Sequence, residues 1–134
     1  MSLDDALQQA VSNVPECLAA GFVDLTTGML IGIKTVDSHP QEVLDFLAAA
    51  TADLFQGPNV VSIENAFKKA RGKESETRHY FNEIVVLSEN LVHVFMRSKQ
   101  SQDHVAGFVC RKSVNLGMAL TKARAALAGI EAAA

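Results

Sequence analysis

CLAAGFVDLTTGMLIGIKT, residues 17–35, reads as two apolar strands joined by a tight turn. Residues 18–23 form the first run and residues 29–33 the second. Gly28 closes the turn, because glycine reaches positive φ at little cost. Asp24 and Thr26 favour the same turn by bonding nearby backbone N–H groups. Both runs are nearly continuous rather than alternating, which predicts strands covered on both faces. Gly21 and Gly32 inside the runs mark a bulge or a close approach by another backbone.

Helical patterns flank this hairpin. On its N-terminal side, Leu3, Leu7, Ala10, Val11 and Val14 share one helical face over residues 2–14. Ser2 is a capping residue, Asp4 and Asp5 suit the first turn, and Pro15 ends the segment. On its C-terminal side a helix is predicted over residues 41–55, with Pro40 in its first turn and a stop at Gly57-Pro58. That helix carries two apolar stripes. Val43, Phe46, Leu47, Ala50 and Leu54 form one; Leu44, Ala48, Thr51 and Phe55 form the other. A helix apolar over so much of its circumference is covered from two sides. One cover is the sheet. The other is a second helix of the same chain or a second copy of the chain.

Residues 59–71 favour a helix, with Ile63, Ala66, Phe67 and Ala70 as its apolar face. Gly72 ends it, and residues 73–78 read as a charged loop. Three strands follow, over residues 79–87, 91–98 and 104–111, with short polar connections that favour antiparallel hairpins. A last helix starts near Ser113 or Asn115, with Leu116, Ala119, Leu120, Ala123, Leu127 and Ile130 on its apolar face and fraying expected from about Glu131. The order predicts one α+β domain over residues 1–134. Its five-stranded antiparallel sheet is a meander with helices on both faces.

Composition narrows the function. Lys+Arg is 12 against Asp+Glu 15, a net charge of −3, which argues against a general nucleic-acid binder. Two cysteines without a CxxC pair predict buried thiols in a reducing cytosol rather than a disulfide framework. The acidic start MSLDDALQQ lacks a secretory pattern, and no apolar run reaches the ~18 residues of a membrane span. A cytoplasmic protein is expected. No GxxxxGK[ST] loop is present, so GTP hydrolysis by the chain itself is not expected. No spacing suggests a metal site, and no cofactor is expected.

Two clusters carry residue types capable of chemistry. If residues 100–103 form the last hairpin loop, His93 faces Cys110 across two strands. A Cys–His pair can act as nucleophile and base, yet no third orienting group is evident, so no catalytic residue is assigned. His79 and His104 are expected in solvent at strand starts. Lys68, Lys69, Arg71, Lys73 and Arg78 form the basic cluster, diluted by Glu74 and Glu76. Such a cluster is ordinarily a solvated surface, and as a functional site it would contact an acidic partner or nucleic acid.

The element order and the hairpin GFVDLTTGMLI, residues 21–31, resemble the roadblock/dynein light chain family, within the wider profilin-like architecture. Residues 59–78 are longer than a plain link at that point of the family pattern. The resemblance implies a non-catalytic homodimer that serves as a scaffold or regulator, often of small GTPases or motor complexes. It implies pairing of residues 81–87 and of the helix over residues 43–55 with their copies across a two-fold axis. The implied interface is Val43, Phe46, Leu47, Ala50, Leu54, Phe81, Glu83, Val85 and Leu87. Pairing also answers a physical need, since an edge as apolar as residues 84–87 invites aggregation when bare. A profilin-like domain holding a small molecule between sheet and helix is the alternative.

Overall fold

Ser2 starts the first helix. Its Oγ accepts from the Asp5 amide at 3.1 Å, and the Asp5 carboxylate accepts from the Ser2 amide at 3.4 Å, a reciprocal cap. The computed structural model describes residues 1–73, 75 and 78–134. Part of the loop expected over residues 73–78, with Glu74 and Glu76, lies outside the described residues.

Among the described residues the order is α1 (Leu3–Asn13), β1 (Cys17–Asp24), β2 (Met29–Thr35), α2 (Gln41–Gln56), α3 (Pro58–Ala70), β3 (Glu83–Leu87), β4 (Leu91–Arg97), β5 (His104–Arg111) and α4 (Leu116–Ala133). The fold is α+β, a five-stranded antiparallel sheet between helical layers. The strand order is β2-β1-β5-β4-β3, so the expected meander is corrected. Short turns make β1–β2, β3–β4 and β4–β5 pair locally, while β1 pairs with β5 at the centre. The chain crosses from the β2 edge to the β3 edge through α2 and α3.

The β1–β2 turn forms as its residues dictate. Asp24 Oδ1 accepts from the Thr26 amide at 2.9 Å and from its hydroxyl at 2.6 Å. Gly28 sits at φ 71°. Register shifts between Phe22 and Val23, where Phe22 pairs with Gly32 and Val23 with Leu30. That is the bulge the in-strand glycines suggested. Gly32 also lies under α1: a Cβ there would stand 3.0 Å from Leu7 Cδ1 and 3.1 Å from Leu3 Cδ2. Cover on both faces holds for β1 but not for β2, whose Met29 and Ile31 are exposed. β2 is an edge strand, and an edge keeps one side open.

Strand alternation divides the core. Val92, Val94 and Met96 of β4, with Phe22, Ala106, Phe108 and Cys110, face α1 and α4 and pack on Leu7, Ala123 and Ile130. Phe95 and Val105 face the other way, where Leu25, Ile84 and Phe55 of α2 meet them. α3 packs on α2.

Several local expectations are corrected. Residues 79–82 are not strand; β3 begins at Glu83. Pro40 is the N-cap of α2 rather than a residue of its first turn. α4 does not fray at Glu131, whose Oε2 accepts from Ser98 Oγ at 2.8 Å, the Lys99 amide at 3.0 Å and the Gln100 amide at 2.9 Å. His79 and His104 are half-buried, not solvated. His93 pairs with Val109, not Cys110, because the loop after β4 is one residue longer than assumed. A one-residue slip sends a side chain to the other face, so His93 and Cys110 lie on opposite sides of the sheet.

Candidate functional site

The two stripes of α2 separate as their spacing requires. Leu44, Ala48, Thr51 and Phe55 are buried, and Phe55 is fully so. Val43, Phe46, Leu47, Ala50 and Leu54 are exposed, Phe46 at 67%. These residues form one continuous exposed apolar row along the helix rather than a scatter of single positions.

Beside the row, between α2 and the sheet, lies a groove with a cavity of about 380 Å³. Its walls include Val43, Leu47 and Leu54. Its floor is the centre of the sheet, where Gly21 pairs with Gly107 next to Phe95 and His93. The two facing glycines add no side chain to that floor, which leaves room for the cavity. His93 borders it with Nε2 3.2 Å from Ser88 Oγ. Burial lowers its pKa, so it is a neutral ring at neutral pH.

β3 is the outer strand next to this surface. Ile84 pairs with Phe95 and packs in the cluster beneath α2, so Ile84 and, two residues on, Val86 share the helix's side of the sheet. Glu83, Val85 and Leu87 point to the other side. Val85 and Leu87 are exposed, at 37% and 60%. Glu83 is held by α4, with Arg124 Nε at 2.9 Å from Oε2 and Nη2 at 2.8 Å from Oε1. That guanidinium keeps the Glu83 carboxyl below its ordinary range. Phe81 lies outside β3. The nine candidate interface residues therefore fall on two faces, joined through the backbone edge of β3. Sequence reasoning missed that Ile84 packs beneath α2, although strand alternation was the signal that could have found it.

Glu64 and Arg97 were missed as well, and they set the position of β3. The expected apolar face of α3 is turned outward: Ile63 and Phe67 are exposed, and Glu64 is the buried residue. Its Oε2 accepts from the Tyr80 amide at 2.6 Å and the Phe81 amide at 3.0 Å, and its Oε1 lies 3.1 Å from His79 Nδ1. Burial raises the Glu64 pKa, but the hydrogen bonds from His79, Phe81 and Tyr80 outweigh it and the net shift is downward. Arg97, 3% exposed, donates to the carbonyls of Phe81 at 3.0 Å, Gln102 at 2.6 Å and Phe55 at 3.3 Å, and lies over the Phe55 ring. Desolvation lowers its pKa. One buried arginine thus ties α2 to the entry of β3.

The basic cluster is spread. Lys68 and Lys69 end α3, Arg71 caps it, and Phe67 stacks on Tyr80 beside them, with centroids 5.1 Å apart. Arg78 lines a hollow with Glu83, Lys99 and Arg124. Among the described residues, no His, Cys, Asp and Glu group is placed to hold a metal ion, and no helix is long and apolar enough to cross a membrane.

This fold is found in solved structures. One, a roadblock/LC7 domain from Streptomyces avermitilis, is 12% identical and superposes at TM-score 0.70 over 98% of this chain and 97% of that one. The chain has the roadblock/LC7 fold. The gliding protein MglB from Thermus thermophilus, 18% identical, superposes at TM-score 0.70 over 97% of this chain and 86% of that one. MglB from Myxococcus xanthus, 14% identical, does so at 0.69 over 96% and 90%. No family model matches the sequence. No curated protein matches it either. The likeness lies in the fold, and at these identities it carries no residue roles.

Proposed function

We propose that the chain is a non-enzymatic, homodimeric scaffold or regulatory protein of the cytoplasm that works with a small GTPase. The observation that carries this reading is the exposed row Val43, Phe46, Leu47, Ala50 and Leu54 on a helix whose opposite stripe is already buried. A second copy supplies the missing cover, and β3, a bare apolar edge, is the strand that joins the two sheets. Among the fold neighbours, an MglB was solved with a tetrameric arrangement, and the Thermus thermophilus MglB is a gliding protein, which supports an assembling regulator. The GTPase rests on the roadblock resemblance. Contact through Lys68, Lys69, Arg71, Lys73 and Arg78 is part of the same proposal, because a basic surface suits an acidic partner.

The test is titration with small GTPases of the same genome, each loaded with GDP or with a non-hydrolysable GTP analogue. Nucleotide-dependent binding is expected, weakened by charge reversal at Lys69 and Arg71. Absence of binding in either state contradicts the GTPase reading. Binding untouched by charge reversal removes the basic cluster from it.

The second reading, a small-molecule binding domain, is favoured by the glycine-floored cavity. A ligand that raises the unfolding temperature in the wild type, and no longer does so in Gly107→Val, would support it.

A further inference from the structure

Cys17 opens β1 and Cys110 closes β5, and the two are directly paired across the central antiparallel ladder. Both side chains belong to the core under α1 and α4. Directly opposed residues of antiparallel strands have Cα atoms about 4.5 or 5.5 Å apart, according to the kind of pair. Both separations fall inside the roughly 4.4–6.8 Å that a disulfide spans. Neither sulfur bears a disulfide, and the Cys17 thiol donates to the Ala19 carbonyl at 3.2 Å.

The surroundings distinguish the two sulfurs. Cys110 is fully buried, whereas Cys17 retains 7% exposure. Cys17 follows Glu16, a non-glycine residue at φ 51°, and a register irregularity lies between Cys17 and Ala19. The Cys17 thiol is held down by the Cys110 S–H, while its bond to Cys17 and burial push Cys110 up. Its residual exposure makes Cys17 the sulfur that reacts first.

We propose that Cys17 and Cys110 form an oxidation site at which a hydroperoxide converts the dithiol to an intrachain disulfide. The Cys17 thiolate attacks the peroxide; a sulfur–oxygen bond forms, the oxygen–oxygen bond breaks, and the alkoxide leaves as alcohol after taking a proton. Cys110 then loses its proton and attacks the sulfenic sulfur. The sulfur–sulfur bond forms, and hydroxide departs with that proton as water. The sum is two thiols and one hydroperoxide giving a disulfide, an alcohol and water. With hydrogen peroxide as oxidant the alcohol is a second water. The bond locks β1 to β5 and so fixes the sheet against α1 and α4.

The reduced full chain is exposed to hydrogen peroxide, denatured with N-ethylmaleimide and weighed intact. The expected product is about 2 Da lighter, takes no maleimide, runs as a single chain on a non-reducing gel and returns to dithiol with dithiothreitol. Its unfolding temperature rises by about 10 °C. Cys110→Ser is expected to stop at a dimedone-reactive Cys17. Two maleimides on the peroxide-treated wild type, a link between chains, or stepwise oxygen addition without a link would each overturn the proposal. The wild-type arm does not depend on either variant folding.

Discussion

The Tyr80 amide donates to the buried Glu64 carboxylate at 2.6 Å, joining the middle of α3 to the lead-in of β3. The Phe81 amide and the His79 ring converge on the same side chain. The strand proposed to pair between copies is therefore placed by α3.

Glu64→Gln keeps the shape and removes the charge. Hydrogen bonds to a charged acceptor contribute about 1.5–3 kcal/mol each, and the neutral amide retains part of that. A loss of about 2 kcal/mol in urea unfolding is expected. A change within experimental error would show that the anchor is idle.

The same carboxylate, with Glu83, gives a pH signature. Both pKa values are lowered on folding. The stability they contribute is then fully present above the unfolded carboxylate value of about 4.3, and is lost as pH falls through the folded values. Wild type is expected to lose stability below about pH 4.3 more steeply than the Glu64→Gln, Glu83→Gln double variant. Parallel curves would contradict this.

The two stripes of α2 predict opposite effects. Phe55→Ala empties a fully buried site and lifts the Arg97 guanidinium off its ring, so a loss of about 3–5 kcal/mol is expected in chemical denaturation. Phe46→Ala leaves each copy folded, with unchanged far-ultraviolet circular dichroism, and weakens association.

Gly32→Ala is expected to cost about 1–3 kcal/mol, since its new methyl meets Leu7 and Leu3 at 3.0 and 3.1 Å. Gly21→Ala meets only ordinary contacts at 3.6 Å and longer, and is expected to be much milder. Equal thermal shifts would contradict the close approach of α1.

Local features were legible from the residues. Ser2, Gly28 and Asn115 announce their caps and turn through short-range hydrogen bonding, and the period of α2 separates its stripes before any packing is known. Long-range features were not legible. The β1–β5 pairing joins strands from opposite ends of the chain, with no turn signal to announce it. The register of β5 against β4 hinged on one loop residue, and that single step moved Cys110 from His93 to Val92. The orientation of α3 was hidden because Glu64 is buried by backbone N–H partners, which have no side-chain pattern.

Sedimentation equilibrium of the wild-type chain and of Phe46→Asp, at micromolar concentration, addresses the exposed row of α2 most directly. The account predicts twice the chain mass for the wild type and the single-chain mass for a folded Phe46→Asp. A wild-type protein that stays at the single-chain mass across the range would contradict it.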